Sequence, residues 1–373
     1  MNSGRSLNRS NNIYRFVFAA GGTGGHLYPA VAVAASIKKM KPEAEILFVG
    51  TKHKLESKVI PSLGYKFKSI VISGFSRKIN LSNLLFPFKL IYGSLQSLII
   101  NFSFKPKVAV GAGAYVAGPV LWSASVLGSK LLLMEQNSFP GITNRLLEKK
   151  ANEIHLSFEE SKKYFRMKEK LFVTGNPIRI DFELSDKKSA KNKVGLDENK
   201  KTLVVLGGSL GAKSLNDSVI NNIEKFQKEN IQVVLQCGKR YYNELKSIEN
   251  SSLKIYDFID DMPKIYSCAD LIVARAGATT IAETAYLGLP VIFVPSPNVA
   301  EDHQYKNAKS LVDENAAEVI KDNNLKEEFY VKIRSIINDD NRLTELAENI
   351  KKFSKPDAAN EIAKRAITLA ETI

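Results

Sequence analysis

Apolar runs and amphipathic segments of helical length alternate along the chain. The runs that predict strands are 16–20, 45–50, 107–111, 130–135, 202–206, 231–236, 254–257, 271–274 and 291–294. The helices predicted between them include 117–127, 142–149 and 214–229. Continuous apolar strands that alternate with helices are typical of a parallel sheet covered by helices on both faces. The pattern therefore predicts an α/β protein with doubly wound sheets.

Two such alternations follow one another, with a polar segment between them. Gly175-Asn176-Pro177 precedes the charged stretch 181–200, which predicts a linker between two domains. A chain of 373 residues is long enough for two cores. We expect residues 1–178 to form the first domain and 179–355 the second. A last helix, predicted over 358–372 after Pro356, is expected to pack back on the first domain.

The segment 81–100 is rich in Leu, Ile and Phe and has about the length of a membrane span. Lys89 disfavours spanning, because a charged side chain near the centre of a bilayer is costly. Two interpretations stay open. Arg77 and Lys78 precede the segment and favour an amphipathic helix at a membrane surface, but an ordinary core helix fits the composition equally well.

The formal net charge of +14 lies almost entirely in the first part of the chain. Residues 1–110 carry 16 Lys and Arg against three acids, while the rest carries 37 against 36. A basic half indicates an anionic partner, either a nucleic acid or a membrane surface, unless these are scattered solvating lysines. We expect no nucleic acid, because the sequence has no zinc-finger spacing, no RNP-type aromatic motif and no basic-region heptads.

The cysteines and the first residues bear on the compartment. Cys237 and Cys268 are too few for a disulfide framework or a structural zinc site, which favours a reducing cytoplasm. Residues 1–12 are polar and predict no signal peptide.

Glycine turns follow three of the predicted strands, at 21–25, 111–114 and 207–209. Such turns expose backbone amides that can bind phosphate at a helix N-terminus. None is a dinucleotide fingerprint: Leu27 stands where the first turn needs its third glycine, and no acid follows Gly50 to hold a ribose. The stretch 207–214 resembles a P-loop but has the wrong spacing. A nicotinamide-dependent oxidoreductase is therefore not expected.

The stretch 275–283 is a better candidate for a nucleotide site. It follows the strand 271–274 and opens a helix, so its small residues can offer amides to a phosphate. Thr279 or Thr280 can add a hydroxyl, and Glu283 can accept hydrogen bonds from a ribose diol. The alternative is a packed strand–helix junction with a solvated Glu283.

Several motifs occur together, in order, across almost the whole chain. They are Gly-Gly-Thr-Gly-Gly-His at 21–26, Glu-Gln-Asn at 135–137, Gly-Asn-Pro-Ile-Arg at 175–179, Gly-Gly-Ser at 207–209, Phe-Ile-Asp-Asp-Met at 258–262, the stretch 278–283, and Glu-Asp-His-Gln at 301–304 with Asn307. In this combination the chain, from residue 14 to about 370, resembles the MurG family of peptidoglycan N-acetylglucosaminyltransferases.

The resemblance implies a GT-B fold, with two Rossmann-like doubly wound domains facing a cleft. It also implies transfer of N-acetylglucosamine from UDP-N-acetylglucosamine to undecaprenyl-pyrophosphoryl-muramoyl-pentapeptide, with inversion to a β-1,4 linkage. The resemblance places this reaction at the cytoplasmic face of the plasma membrane, where anionic lipids would attract the basic half of the chain. Other cell-wall and division proteins are further expected partners.

Site residues follow from the resemblance, motif by motif. The second domain would grip the donor, with the backbone of Ile259 at the uracil, Glu283 at the ribose and Gln304 at the sugar hydroxyls. Whether His303 contacts the sugar is left open. The full set of expected substrate-binding residues is Thr23, Gly24, Gly25, Tyr115, Asn137, Arg179, Ser209, Ile259, Ala278, Thr279, Thr280, Ile281, Ala282, Glu283 and Gln304.

An inverting transfer needs a base for the acceptor hydroxyl and stabilisation of the departing UDP. His26 is the expected catalytic base, because it closes the first glycine turn and its ordinary pKa suits proton transfer near neutral pH. The alternative is that His26 only orients the loop or the acceptor phosphate. No Asp-x-Asp pair occurs, so we expect no metal and no cofactor, with helix amides and Arg179 taking the developing charge.

Two other classes of protein fit the sequence less well. A sugar-nucleotide epimerase of the same two-domain build would carry acidic residues in the cleft, and the sequence places no acid beside the first glycine turn. A non-catalytic, basic membrane-binding module would explain the charge but not the stretch 278–283. The expectations that follow are a transferase, a metal-free site and His26 as base.

Overall fold

The structure is a computed structural model that describes residues 14–74, 86–178, 183–208 and 210–372. The chain divides into two compact units. Unit 1 comprises Met1–Arg179 and Asp357–Ile373, and unit 2 comprises Ile180–Pro356. Each unit is built on its own sheet, and every pairing between the strands named below is parallel.

Unit 1 contains a seven-stranded sheet in the order β3-β2-β1-β4-β5-β6-β7. Its strands are β1 Arg15–Ala19, β2 Glu45–Gly50, β3 Lys66–Ser69, β4 Val108–Gly111, β5 Lys130–Glu135, β6 Glu153–Leu156 and β7 Leu171–Val173. Its helices are α1 Gly24–Met40, α2 Glu56–Ser62, α3 Phe86–Phe104, α4 Ala114–Val126, α5 Ile142–Leu147 and, from the end of the chain, α15 Ala358–Glu371. Short 3₁₀ turns lie at Glu159–Tyr164 and Lys168–Lys170.

Unit 2 contains a six-stranded sheet in the order β10-β9-β8-β11-β12-β13. Its strands are β8 Lys201–Leu206, β9 Ile231–Gln236, β10 Leu253–Tyr256, β11 Leu271–Ala274, β12 Val291–Phe293 and β13 Glu318–Val319. Its helices are α6 Lys187–Val194, α7 Lys213–Ile220, α8 Ile223–Lys228, α9 Lys239–Leu245, α10 Met262–Cys268, α11 Ala278–Leu287, α12 His303–Val312, α13 Leu325–Ile337 and α14 Asp340–Lys351. Three 3₁₀ turns lie at Lys246–Ile248, Ala300–Asp302 and Asp322–Asn324.

The central strands are buried on both faces, which is why they appear in the sequence as unbroken apolar runs. In β1 the side chains of Phe16 and Phe18 enter one core and those of Val17 and Ala19 enter the other. Strands β8 and β11 of unit 2 are likewise fully buried between Leu203 and Leu206 and between Leu271 and Ala274. The predicted α/β class is confirmed.

Two elements differ from the sequence prediction. The expected linker 181–200 contains α6, which begins at an Asp186 cap that accepts the amide of Ser189. Lys191 of α6 is buried, and its ammonium group donates to Asp270 at 3.2 Å. Asp270 directly precedes β11, so this bond holds the helix against the start of that strand. The predicted helix 214–229 is split at Asn221 and Asn222, because the Asn222 amide bonds the carbonyl of Ser218 and competes with the helix backbone.

Helix α15 returns to unit 1 and completes its core. Ile362, Ala363, Ala366, Ile367 and Ala370 have helical spacing and pack with the buried face of α1. Outside this apolar face, Arg365 makes two bonds of 2.6 Å to the Glu153 carboxylate. The same guanidinium lies 3.7 Å above the ring of Phe172. Burial raises the pKa of Glu153, but hydrogen bonds from His155 and Arg365 more than offset this and lower it to about 2.

We expect Arg365→Met to destabilise unit 1 by about 1–3 kcal/mol, because the Glu153 carboxylate loses its paired charge while it remains largely buried. Since folding lowers the pKa of Glu153 from 4.5 to about 2, this stabilisation is complete above pH 4.5 and is lost as the pH falls toward 2. The single tryptophan, Trp122, lies in unit 1, so its fluorescence in urea reports on this unit.

Arg334→Met is the matched control. Arg334 pairs with Glu229 at the exposed surface of unit 2, where an ion pair contributes about 0–1 kcal/mol. An Arg365→Met protein whose Trp122 transition is unchanged would contradict a stabilising role of the Arg365–Glu153 pair.

Helix α3 presents most of its large apolar side chains to solvent and its small polar side chains to the protein, while Ile100 and Phe104 near its end pack against the core. Gly93, Ser97 and Asn101 are its buried residues, and the Asn101 amide donates to the carbonyl of Val120 in α4. The exposed large side chains are Phe88, Leu90, Ile91, Tyr92, Leu95, Ile99 and Phe102. The core-helix interpretation of 81–100 is therefore wrong for this helix; residues 75–85, with Arg77 and Lys78, lie outside the described part.

None of the helices in the described part of the chain is long and apolar enough to span a bilayer.

Candidate active site

The glycine turns and the motif residues lie at the carboxyl ends of the two sheets. In each sheet the strand order reverses beside the first strand, between β1 and β4 in unit 1 and between β8 and β11 in unit 2. Ligands of open α/β sheets bind at such switch points, outside the carboxyl ends of the strands. Each unit therefore has one edge at which a ligand is expected.

The first glycine turn leads from β1 into α1. Thr23 is the exposed N-cap residue, and its carbonyl accepts the amides of His26 and Leu27. The amides of Gly24 and Gly25 precede these bonds, so they are available to an anion at the positive end of the helix. This geometry suits the expected contact of Thr23, Gly24 and Gly25 with a phosphorylated substrate.

Glu56 lies directly beneath this turn, although the sequence showed no acid beside it. One carboxylate oxygen accepts the Gly22 amide at 3.1 Å, and the other accepts the amide and hydroxyl of Thr51 at 2.9 and 2.7 Å. A Cβ on Gly21 would approach the carboxylate to 2.5 Å. The expectation of an acid-free turn was wrong, because Glu56 comes from α2, 34 residues from Gly22. Glu56 is 1% exposed and braces the turn.

His26 is held from the neighbouring strand ends. Its Nδ1 lies 3.1 Å from Oε1 of Gln136, and the Ala112 backbone is a second hydrogen-bond partner. Burial lowers the pKa of His26 below its usual 6.5, while the bonds to Gln136 and Ala112 act in the opposite direction. The ring is therefore neutral at pH 7 and able to accept a proton.

Tyr115 and Asn137 lie at the same edge of unit 1. Tyr115, at the start of α4, bonds the side chain of Thr51, and burial raises the pKa of its phenol. Asn137 donates its amide to Glu135 at 3.0 Å, and its carbonyl accepts the hydroxyl of Ser161. Thr23–His26, Tyr115 and Asn137 thus follow β1, β4 and β5, which are adjacent in the sheet.

In unit 2, helix α11 begins with the candidate phosphate site. Its N-cap is Gly277, whose carbonyl accepts the amide of Ile281. Ala278, Thr279 and Thr280 precede that first helical bond, so their amides are available to a ligand. Within the described part of the chain, the buried hydroxyl of Thr279 has no hydrogen-bond partner.

The next turn of α11 carries the candidate ribose ligand. Tyr266 is buried and donates its hydroxyl to Glu283 at 2.9 Å, which orients the carboxylate. Ala282 is half-buried one position earlier. Ile281 is buried and its amide bonds the Gly277 carbonyl, so it has no free amide to offer a ligand.

Arg275 connects the loops around this site. Its guanidinium donates to Asp322 at 2.6 Å, to Ser214 at 2.9 Å and to the carbonyl of Val294 at 3.0 Å. Arg275, Ser214 and Asp322 line a cavity of about 630 Å³, together with Gly207, Gly208 and Gln304. The Gln304 oxygen accepts the amide of Ser296 at 2.8 Å, so its NH₂ group can donate to a ligand.

Three more of the expected site residues are Ile259, Arg179 and Ser209. Ile259 is buried after β10, which is consistent with a contact through its backbone rather than its side chain. Arg179 and Ser209 lie outside the described residues. The described ranges contain no cluster of three or more His, Cys, Asp or Glu side chains arranged to hold a metal ion.

Comparisons with known proteins identify the family. Residues 16–156 match the glycosyltransferase family 28 N-terminal domain and residues 202–362 match its C-terminal domain. A Flavobacterium psychrophilum protein is 43% identical over 362 residues, which cover 96% of this chain and 98% of the relative. It is named UDP-N-acetylglucosamine–N-acetylmuramyl-(pentapeptide) pyrophosphoryl-undecaprenol N-acetylglucosamine transferase, and a 42% identical Cytophaga hutchinsonii protein has the same name. This chain belongs to that MurG transferase family.

The solved structures agree with the membership. The crystal structure of Acinetobacter baumannii MurG matches with a TM-score of 0.74 and 26% identity, over 95% of this chain and 99% of that one. The predicted GT-B fold with two Rossmann-like units is confirmed. A putative UDP-N-acetylglucosamine 2-epimerase from Listeria monocytogenes matches with a TM-score of 0.65 at 13% identity and shares the fold alone.

The two edges gather most of the residues that the MurG resemblance implied, each within its own unit. Sequence reasoning missed Glu56, Gln136, Tyr266 and Arg275 as neighbours of the site. Only Gln136 and Arg275 lay within motifs that were already singled out. Glu56 and Tyr266 reach the site from α2 and α10, and no local sequence pattern predicts such contacts.

Proposed function

We propose that this protein transfers N-acetylglucosamine from UDP-N-acetylglucosamine to undecaprenyl-pyrophosphoryl-muramoyl-pentapeptide, forming a β-1,4 linkage with inversion. The observation that carries this proposal is 43% identity over 96% of the chain to a relative named for that transfer. The carboxyl end of each sheet carries polar groups that such a reaction can use.

Unit 2 supplies the groups for a nucleotide sugar. The amides of Ala278, Thr279 and Thr280 can bind the diphosphate at the positive end of α11, with the Thr279 hydroxyl as an added donor. Glu283 can accept the ribose hydroxyls, because Tyr266 already fixes its orientation. Gln304, which lines the cavity around Arg275, can donate its NH₂ group to the sugar. These contacts are proposals for the donor site.

Unit 1 supplies the groups for the acceptor and the proton transfer. Neutral His26 can take the proton from the attacking sugar hydroxyl as the new glycosidic bond forms and the bond to UDP breaks. The amides at the start of α11 then stabilise the negative charge that develops on the departing UDP. Tyr115 and the amides of the first glycine turn are the proposed partners of the acceptor pyrophosphate.

A transfer assay tests the function directly. Purified protein is incubated with labelled UDP-N-acetylglucosamine and the lipid-linked muramoyl-pentapeptide, and label is measured in the lipid fraction. We expect label in that fraction only when the acceptor is present. A protein that binds UDP but transfers sugar only to some other acceptor would contradict the proposed substrate.

We further propose that the protein works as a peripheral enzyme on the cytoplasmic face of the plasma membrane. The acceptor's undecaprenyl tail stays in the bilayer, so the enzyme must reach it there. The exposed face of α3 offers six large apolar side chains to that surface: Phe88, Ile91, Tyr92, Leu95, Ile99 and Phe102. Trp122 and Val126 of the adjoining α4 are also exposed.

The charge of the same part of the chain supports this surface. Residues 1–110 carry 16 basic residues against three acids, and anionic lipid attracts each nearby basic residue by about 1 kcal/mol. A helix with buried Gly93, Ser97 and Asn101 and exposed aromatic and aliphatic residues is suited to lie in an interface. We call these six apolar residues of α3, from Phe88 to Phe102, together with Trp122 and Val126 the apolar face.

We expect Phe88→Glu with Ile91→Glu to weaken binding to anionic vesicles by ~10-fold or more, because two apolar contacts are lost and two negative charges are added. Trp122 fluorescence should shift to the blue on vesicle binding in the natural protein and not in the variant. Activity on a short-chain soluble acceptor should stay near that of the natural protein.

Val331→Glu is the matched control, since Val331 is 65% exposed on α13 of unit 2. It should leave vesicle binding unchanged. Equal losses on lipid and soluble acceptors in the double variant would show that the apolar face serves the fold and not the membrane.

A further inference from the structure

Three neighbouring strand ends meet at His26. His26 follows β1 and Gln136 follows β5, and β4 lies between these strands in the sheet. The Gln136 side chain reaches past the end of β4, so that its Oε1 lies 3.1 Å from His26 Nδ1. The contact spans 110 residues of sequence and is therefore created by the fold.

Gly113, just after β4, leaves the space for this contact. A Cβ at this position would lie 2.9 Å from Nδ1 of His26 and 3.4 Å from Oε1 of Gln136. Its φ of +86° is also in the left-handed region that favours glycine. The backbone between the two side chains is thus shaped so that nothing separates them.

The position of Gln136 is fixed by the residue before it. The buried carboxylate of Glu135 accepts the amides of Asn137 and Gly141 at 3.0 and 2.9 Å and the side chain of Asn144 at 2.8 Å. These bonds brace both ends of the loop that Gln136 begins. Gln136 itself is 2% exposed.

Within the described part of the chain, the side-chain amide of Gln136 makes one hydrogen bond, through its oxygen to His26. Its Nε2 is buried and has no hydrogen-bond partner among the described residues, which is unfavourable. An apolar side chain of similar size would fill the same space without that cost. The contact between the side-chain oxygen and His26 therefore explains why an amide side chain stands at this position.

We infer that Gln136 is a positioning residue that holds His26 in the tautomer protonated at Nδ1 and leaves Nε2 as the proton acceptor. An amide oxygen only accepts hydrogen bonds, so a ring nitrogen bonded to it must carry the proton. The inference rests on the proposed function only in one respect, namely that Nε2 accepts a proton from the acceptor hydroxyl during transfer. The tautomer itself can be measured without any substrate.

Nitrogen-15 NMR of histidine-labelled protein gives this measurement. The chain has four histidines, and His155 is the internal control, because it is buried in unit 1 and its ring bonds Glu153 rather than Gln136. We expect long-range proton–nitrogen correlations to show His26 protonated at Nδ1 in the natural protein. In Gln136→Leu the His26 signals should move away from this tautomer, while those of His155 stay unchanged.

Kinetics of two variants supply the second readout. Gln136→Leu should lower kcat by ~10–10²-fold with little change in donor KM, because part of the general-base contribution is lost. Gln136→Glu keeps an oxygen acceptor and should restore most of kcat at its best pH. Its added carboxylate favours the imidazolium form, so the acidic limb of the kcat/KM profile should move to higher pH.

The outcomes separate this inference from the proposed function. A natural protein with His26 protonated at Nε2, or a Gln136→Leu protein with unchanged His26 signals and unchanged kcat, would overturn the inference even if transfer is normal. If Gln136→Leu shifts the tautomer while His26→Ala leaves kcat unchanged, the control by Gln136 stands and the role of His26 as base fails.

Discussion

His26→Ala is expected to lower kcat by ~10²–10⁴-fold with nearly unchanged donor KM, which is the usual contribution of a general base. The reason is that the neutral imidazole lies in the first turn of α1, held by Gln136 and Ala112, while the proposed contacts with the UDP-sugar come from unit 2. Because burial lowers its pKa below 6.5, the acidic limb of kcat/KM should also lie below pH 6.5. Steady-state kinetics with the lipid acceptor measures both effects.

His53→Ala is the control, since His53 is exposed in the loop that follows β2. It should leave kcat unchanged. If His26→Ala instead raises the acceptor KM and leaves kcat intact at saturation, His26 positions the acceptor and another group is the base.

Glu283→Ala is expected to raise the donor KM by ~10–150-fold, because a hydrogen bond to a charged group contributes about 1.5–3 kcal/mol. In the structure its carboxylate is partly buried beside the α11 N-terminus and is oriented by the hydroxyl of Tyr266 at 2.9 Å. The acceptor KM should not change. Titration of UDP binding by calorimetry provides the same comparison without turnover.

Tyr266→Phe provides a graded comparison. It removes the bond that orients Glu283 but keeps the carboxylate, so its effect on donor KM should be smaller than that of Glu283→Ala. Equal donor KM values in the natural protein and in Glu283→Ala would refute the ribose contact.

The sequence predicts the frame of both sites because the frame depends on local patterns. Apolar runs locate β1, β5 and β8, and glycines mark the turns that follow strands at the switch points. Short or edge strands leave weaker signals, so β3, β6, β7 and β13 were not predicted. Of these, β3 is largely exposed and β13 is two residues long.

Contacts between distant segments could not be predicted in this way. Glu56 under the first glycine turn and Gln136 beside His26 are brought there by the order of the strands, which single-sequence patterns do not specify. Helix α3 shows a different limit. Its composition suits a core helix, and only the packing of Gly93, Ser97 and Asn101 against the protein reveals that its apolar side faces outward.

If the proposed function is right, this chain transfers sugar only when its lipid acceptor is present. The most direct measurement follows UDP-N-acetylglucosamine by proton NMR with purified protein, first alone and then with vesicles that contain the lipid-linked muramoyl-pentapeptide. We predict that the donor stays intact alone, and that with acceptor UDP is released in step with a β-linked N-acetylglucosamine on the lipid. Epimerisation or hydrolysis of the donor without acceptor, together with an unchanged lipid, would show that the protein is not this transferase.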